Sequence, residues 1–197
     1  LQSDLSPSQK QELLSFLRSQ HSVFAHNWSE LGKTHLHHHK IETGDARPIR
    51  RPFYRQSAEI RQECSNQIKE RLDANIIQPS SSQWHSPVVM VKKRDNTYRF
   101  AVDYRRLNAV TKPIFFPLIR FEDVIDAVGE SHAQIFSVLD CASGFWQIPL
   151  HPETKHKSAF VTPDGVFEFN RLPFGLKNAP MAFQSTISEA LKEMNWK

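Results

Sequence analysis

The 197-residue chain carries 25 Lys and Arg against 21 Asp and Glu, for a formal net charge of +4, and 39% of its residues are hydrophobic. This composition excludes a disordered chain and is sufficient for one sizeable core. No apolar run has transmembrane length and no signal peptide is recognisable, so we expect no membrane partner. Because Cys64 and Cys141 make no disulfide framework, we expect free thiols in a reducing compartment.

Three stretches have the apolar spacing of amphipathic helices. The first begins at Ser6 with a capping box and ends near Ser19. The second spans about 57–74, with apolar residues at four-residue steps. The third spans 121–128, and we expect Gly129 to end it.

Runs of β-branched and aromatic residues predict two hairpins. The first pairs residues 86–93 with 98–103. The second pairs 157–161 with 166–169 around the Pro-Asp-Gly turn at 163–165. The sequence is therefore expected to contain both helices and antiparallel strands.

Between the first two helices the chain lacks a regular period. Residues 35–40 include four histidines, but neighbouring histidines do not converge on one point and no second Cys or His cluster completes a ligand set. We therefore interpret this segment as a linker. Residues 45–55 are rich in proline and arginine, which predicts an extended arm that could lie on a nucleic-acid backbone.

Basic residues are concentrated between Lys92 and Arg120, where eight bases stand against two acids. Such a stretch is either a solvated face or a contact for nucleic acid, and its charge alone favours neither interpretation.

A short apolar run at 135–139 ends in one carboxylate, Asp140, followed by small residues. The run predicts a buried strand. A carboxylate at the end of a rigid strand can hold a metal ion at a fixed position. The alternative is an ordinary strand-to-turn junction, with Asp140 hydrogen-bonded to nearby amides.

Three stretches together carry a resemblance to a known family. FSVLDCASGFWQI at 136–148 resembles the first catalytic motif of reverse transcriptases from gypsy-type LTR retrotransposons. LPFGLKNAPMAFQ at 172–184 resembles the family's second polymerase motif, and the hairpin followed by YRRLN at 104–108 resembles its fingers hairpin. The resemblance covers about residues 35–197.

The resemblance implies an α+β right-hand polymerase fold with fingers and an incomplete palm, preceded by an N-terminal helix and linker. Residues 1–45 would be the helix and linker from an upstream part of a polyprotein. Residues 46–197 would be the fingers and partial palm, truncated before the family's Tyr-x-Asp-Asp hairpin. We expect the chain to be a piece of a longer reading frame, since it begins with Leu.

The activity that the resemblance implies is RNA-directed DNA polymerisation, in which a deoxynucleotide (dNTP) is added to a primer on an RNA or DNA template. The complete enzyme would use two Mg²⁺ ions to stabilise the attacking and leaving oxygens. Asp140 would be the catalytic carboxylate that binds both ions. The backbone carbonyl of Cys141 would complete one coordination shell.

The resemblance also assigns residues to the nucleotide and the template–primer. Lys93 and Arg99 would hold the triphosphate of the nucleotide. Lys92 or Arg94 could take the place of Lys93, because the hairpin loop matches the family's length only approximately. Core packing is the alternative role for Phe145 and Phe174. Gln184 and Arg105 would contact the template–primer. The residues implied to bind the nucleotide are Lys93, Arg99, Ser143, Gly144, Phe145, Phe174 and Gly175.

Two functions follow from these residues. The chain is a fragment of a reverse transcriptase, or it is a truncated remnant that only binds nucleic acid. No Asp-Asp pair follows Asp140, so we expect no polymerisation by this chain alone. The family implies a Pol polyprotein with protease, ribonuclease H and integrase, a role in DNA integration, and a cytoplasmic location, in virus-like particles with nuclear access during integration.

Overall fold

A five-stranded sheet forms the centre of the chain, seen in a computed structural model that describes residues 5–117, 120–133 and 136–192. The spatial order is β1-β5-β4-β2-β3. Only the β2–β4 pair is parallel, and the other neighbours are antiparallel. The strands are β1 (Ile77–Pro79), β2 (Ser86–Lys92), β3 (Tyr98–Val102), β4 (Phe160–Thr162) and β5 (Gly165–Phe169).

Five α-helices accompany this sheet in the described residues. None of them is long and apolar enough to cross a membrane. Short 3₁₀ turns occur at 21–23, 28–30, 144–147 and 155–158. The helices are α1 (Pro7–Ser19), α2 (Ala58–Asp73), α3 (Arg105–Val110), α4 (Phe121–Glu130) and α5 (Ala179–Ala190).

Local capping explains the helix boundaries that the sequence predicted. Ser6 and Gln9 form the reciprocal capping box of α1, and Ser57 caps α2 through the Ile60 amide. Both predictions are confirmed. The expectation that Gly129 ends α4 is wrong, because the helix continues to Glu130 and the left-handed residue is His132, at φ +50°.

The β2–β3 hairpin is confirmed, with Val91 opposite Arg99 and Lys92 opposite Tyr98. The second hairpin is also confirmed, but its first strand begins at Phe160 rather than at 157. Ser158 explains the later start. Its hydroxyl donates to the Lys155 carbonyl and accepts from the Phe169 amide, which holds the preceding residues in a 3₁₀ turn.

The core lies between the sheet, α2 and the 172–184 motif. Its fully buried side chains include Ile68 of α2, Ile76, Phe160 and Leu172. Cys64 is also buried, as its helical spacing predicted, and both cysteines are free thiols. Each buried aliphatic or aromatic side chain of this kind contributes roughly 1.5–3 kcal/mol to folding.

The linker and the arm are both docked on this core. The His39 amide donates to Pro149 at 2.9 Å, and the His39 carbonyl accepts from His151 at 2.8 Å. In the arm, Arg50 forms a parallel bridge with His85. Hydrogen bonds join His85 to both Ile49 and Arg51, so this part of the arm is extended as predicted.

The expectation of a buried strand before Asp140 is wrong for the residues that the structure describes. Val138 and Leu139 are 93% and 86% exposed, and residues 136–140 pair with no described strand. A strand is stable only when neighbouring chain satisfies its backbone donors and acceptors. No described segment does so here, and Ile135 lies outside the described residues.

Candidate nucleotide-binding site

Asp140 occupies an exposed segment that leads into the turn of the first motif. Its carboxylate forms no hydrogen bond or ion pair with the described residues, so the alternative of a carboxylate bound to nearby amides is not observed among them. The side chain of Cys141 is exposed as well. Both groups are accessible to a ligand from solvent.

The turn after Cys141 depends on two residues with unusual backbone requirements. Ser143 is left-handed, at φ +46°, and its carbonyl accepts from the Trp146 amide at 2.7 Å. Gly144 packs so tightly that a Cβ there would lie 2.7 Å from the Phe183 ring. Only glycine fits this position without displacing the ring, and the turn therefore presents its backbone beside α5.

Phe145 and Phe174 bring the two motifs together. Their ring centroids are 5.0 Å apart, and the ring of Phe183 also contacts Phe145, with centroids 5.6 Å apart. Phe145 is half-buried against the core, whereas Phe174 is 54% exposed. The core-packing role therefore holds in part for Phe145, while the exposed ring of Phe174 is free to contact a ligand.

The second motif turns at Gly175, which is left-handed at φ +90°. The Asn108 side chain fixes this turn by donating to the Gly175 carbonyl at 2.8 Å and accepting from the Lys177 amide at 2.8 Å. Gly175 also lies against β3, since a Cβ there would be 3.7 Å from the Val102 carbonyl oxygen. The motif turn is thus attached to the fingers hairpin.

The hairpin register separates the lysines near its tip. Residues opposite each other in a strand pair share a face, and faces alternate along a strand. Arg99 is opposite Val91, and the Lys93 amide donates to Thr97 at 2.8 Å, which continues the same ladder. Lys93 therefore shares the face of Arg99, while Lys92 belongs to the opposite face. This geometry favours Lys93 over Lys92 as the partner of Arg99.

Arg105 is anchored at the base of the hairpin. Its guanidinium makes two hydrogen bonds to Asp103, at 2.8 and 2.7 Å, while 85% of the side chain stays exposed. Tyr54 of the arm donates to the same carboxylate at 3.1 Å. Hydrogen bonding from Arg105 holds the pKa of Asp103 well below its usual range. The anchored guanidinium keeps free N–H groups directed to solvent.

Gln184 lies on α5, where it donates weakly to Ser188 at 3.4 Å. It is half-buried and directly follows Phe183, whose ring packs against Gly144. The structure thus places Gln184 on the helix that supports Phe145, whereas Arg105 begins α3, shortly after β3.

The described residues do not complete a site for Mg²⁺. Among them, no three His, Cys, Asp or Glu side chains cluster closely enough to hold a metal ion. Mg²⁺ requires several oxygen ligands in near-octahedral geometry, and Asp140 offers a single carboxylate. Glu168 is not available as a second ligand, because it is buried and accepts from Gln78 and Ser80.

Sequence reasoning missed the polar residues that hold the motif turns. Besides Asn108, these are Asn178, which bonds to the backbone of Lys112 and Ile114, and Tyr104, whose hydroxyl donates to the Ser158 carbonyl at 2.7 Å. Their partners lie 54 to 69 residues away in the chain. No local pattern signals such distant pairing.

The fold defines a class of protein when it is compared with solved structures. It resembles the prototype foamy virus protease–reverse transcriptase with a TM-score of 0.81 and 26% sequence identity, over 97% of this chain and 26% of that chain. The foamy viral enzyme in complex with an RNA/DNA hybrid has the same fold, with a TM-score of 0.81 at 19% identity over 98% of this chain and 26% of that one. The α+β fold is therefore that of a right-hand polymerase, as predicted.

Sequence comparison then shows the family. Residues 91–197 match the model of the reverse transcriptase (RNA-dependent DNA polymerase) family. The chain is 40% identical, over 78% of its length, to the retrovirus-related Pol polyprotein from transposon opus of Drosophila melanogaster. It is 38% identical, over 67% of its length, to the enzymatic polyprotein of cauliflower mosaic virus (strain Strasbourg). The chain belongs to the reverse transcriptase family of retrotransposon type.

This chain is much shorter than its curated relatives. It spans 16% of the opus polyprotein and 20% of the cauliflower mosaic virus polyprotein.

Proposed function

We propose that the chain supplies the nucleotide-binding and template-binding surface of an RNA-directed DNA polymerase. The observation that carries this proposal is the contact between Phe145 and Phe174, at 5.0 Å. It joins the two polymerase motifs next to the β2–β3 hairpin. The incoming dNTP would bind over these rings, with its triphosphate on Lys93 and Arg99 and on the backbone amides of Ser143 and Gly144.

Charge and exposure support the triphosphate assignment. Lys93 and Arg99 are exposed, share one face of the hairpin and have no ion-pair partner among the described residues. Cationic side chains of this kind form strong, charge-assisted hydrogen bonds with phosphate. The exposed face of Phe174 and the glycine backbone at Gly175 would border the base and sugar.

The template–primer would lie along the arm and the base of the hairpin. Arg51, Arg105 and Arg106 line a cavity of about 250 Å³ together with Tyr54 and Asp103. Exposed guanidinium groups are suited to phosphate oxygens and make binding dependent on salt. Gln184 would contact the template–primer from α5.

Divalent metal chemistry is part of this proposal, but the described residues supply only one carboxylate ligand. Asp140 would contribute that ligand, beside the Cys141 carbonyl, and the remaining carboxylates would come from outside the described residues. In the complete enzyme, Mg²⁺ would stabilise charge on the attacking and leaving oxygens.

The chain would work as one part of a Pol polyprotein. Its curated relatives are Pol and enzymatic polyproteins, which supports neighbours such as protease, ribonuclease H and integrase. DNA integration, and a cytoplasmic particle with access to the nucleus, would follow from that setting.

A second candidate function is nucleic-acid binding without polymerisation. The observation that favours it is the lack of a three-carboxylate cluster among the described residues. The exposed arginines of the arm and hairpin do not require a metal to bind phosphate.

Primer extension on poly(rA)/oligo(dT) with Mg²⁺ separates the two functions. The assay compares the 197-residue chain with a version extended through the next stretch of its gene. We expect only the extended version to incorporate nucleotide. If the extended version folds, binds primer–template and incorporates nothing, the second function stands.

Two substitutions in the extended version test the role of Asp140. Asp140→Asn should abolish synthesis and leave primer–template binding unchanged. Asp126→Asn, at an exposed position of α4, is the matched control and should leave both unchanged. Synthesis by the Asp140→Asn variant would refute the assignment.

A further inference from the structure

A cavity of about 440 Å³ lies along the edge strand β3 and reaches into the core. Its volume is within the range of small-molecule sites, and its walls are mostly apolar. Arg99, Phe174 and Gly175 belong to the proposed nucleotide surface, but the deeper walls do not. The side chains that form those deeper walls are Arg71, Phe100, Trp146 and Phe169.

Arg71 is a buried cation at this cavity. Only 5% of the residue is exposed, and no carboxylate among the described residues lies within 4 Å of its guanidinium nitrogens. Nη1 donates to the Gln67 carbonyl at 2.6 Å, whereas Nε is buried and has no acceptor in the described part of the chain. Burial lowers the pKa of Arg71 to about 10, so the guanidinium stays charged at neutral pH.

Aromatic rings offset only part of the cost of burying this charge. The guanidinium carbon lies 4.5 Å from the centroid of Phe100, 4.8 Å from that of Trp28 and 5.5 Å from that of Trp146. A ring face attracts a cation but accepts no in-plane N–H bond as a carboxylate does. A buried donor without an acceptor is destabilising, and removing a charge from water costs several times more. Within the described part of the chain, the cation therefore has no anionic acceptor.

We propose that the cavity binds a small organic monocarboxylate with a flat aromatic body, whose carboxylate pairs with Arg71. One buried cation matches one negative charge, whereas a triphosphate would bring several charges into apolar walls. Inorganic phosphate would gain nothing from those walls. The aromatic body would pack against Phe100, Trp146 and Phe169 with the ring geometry that such side chains already adopt.

This site does not depend on the proposed polymerase activity. The ligand would touch Phe174, whose ring contacts Phe145 at a tilted angle, so its binding would affect the nucleotide surface through Phe174. Binding itself, however, requires no nucleotide, template or metal, and its test uses none of them.

The test compares 1-naphthoate with the neutral 1-naphthamide on the 197-residue chain, by titration calorimetry and by NMR of the Arg71 Nε–H group. We expect naphthoate to bind at least tenfold more tightly than naphthamide and to shift the Nε–H resonance. Equal binding of the two compounds, or binding of neither, would overturn the proposal.

Two variants identify the cation that is responsible. Arg71→Gln keeps a hydrogen-bonding side chain without the charge, and it should remove the preference for naphthoate. Arg61→Gln, at an exposed position of the same helix, should leave the preference intact. If Arg99→Gln removes the preference and Arg71→Gln does not, the carboxylate binds at the exposed cation and the proposal is wrong. If Arg71→Gln does not fold, the proposal is judged on the unchanged chain alone. The two criteria are then the ratio of its affinities for naphthoate and naphthamide and the shift of the Arg71 Nε–H resonance.

Discussion

Asn108 holds the Gly175 turn from 67 residues away in the chain, through a hydrogen bond of 2.8 Å from its Nδ2 to the Gly175 carbonyl. The same side chain accepts from the Lys177 amide. Asn108 belongs to α3, directly after the fingers hairpin, whereas Gly175 belongs to the second polymerase motif. One amide group therefore couples the two parts of the chain that would face the nucleotide.

Replacing Asn108 with Ala should loosen this turn. We expect a loss of about 1–2 kcal/mol in the free energy of unfolding, because the Gly175 carbonyl and the Lys177 amide both lose a partner. Urea unfolding measures this loss. Asn66→Ala, which removes an exposed bond to Gln62 on α2, is the matched control and should cost less than about 0.5 kcal/mol. Equal effects of the two substitutions would show that Asn108 has no special role.

Gly144 should not tolerate a side chain. A Cβ would lie 2.7 Å from the Phe183 ring, so Gly144→Ala must displace that ring and should cost about 1–3 kcal/mol. Phe145 rests on the same ring, so its aromatic NMR shifts should change as well. Gly129→Ala is the control, because its Cβ would meet no described atom within 4 Å and alanine favours a helix such as α4. In thermal unfolding, the midpoint temperature should therefore fall for Gly144→Ala and rise for Gly129→Ala. A Gly144→Ala variant as stable as the unchanged chain would contradict the tight packing at Gly144.

His39 should make stability depend on pH. Burial lowers its pKa to about 4, below the ordinary value of 6.5, so the unfolded chain binds more protons between these two values. Stability contributed by neutral His39 is complete above pH 6.5 and is lost as the pH falls from 6.5 towards 4. The loss should amount to at most about 3 kcal/mol.

Urea unfolding at pH 7.5 and pH 4.5 measures this dependence. His39→Gln should reduce the difference in unfolding free energy between the two pH values, since the buried titrating group is gone. His38→Gln replaces an exposed neighbour and should preserve the difference. An unchanged pH dependence in His39→Gln would mean that His39 is not the group responsible.

Arg105 should contribute to the salt dependence of template–primer binding. Its exposed guanidinium is anchored to Asp103, so removing it by Arg105→Gln should lower the slope of log affinity against log salt by about 1. Fluorescence anisotropy between 50 and 300 mM salt would measure the slope. The Debye length is about 10 Å at 0.1 M salt, so the attraction between exposed arginines and phosphates changes across this range. Arg18→Gln, in the last turn of α1, is the control and should not change the slope. A slope that stays constant in Arg105→Gln would place the phosphate contact elsewhere.

The candidate site was predictable only where its residues lie in continuous motifs. Gly144, Phe145, Phe174 and Gly175 were identified from two short stretches, and the structure brings both stretches together. The roles assigned to them in nucleotide binding remain predictions. The choice between Lys92 and Lys93 could not be made from the sequence, because it depends on the register of the hairpin with Thr97 and Arg99.

The sequence by itself determined the elements whose causes are local. The capping box at Ser6, the cap at Ser57 and the turn before β5 act within a few residues, so their positions follow from the order of the residues. Tertiary structure decided the rest. The run before Asp140 has strand-forming residues but no described strand beside it, and Arg71 is charged yet lies within a ring of aromatic side chains. Strand pairing and burial depend on segments that are distant in the chain. A local pattern of residues does not indicate which segments those are.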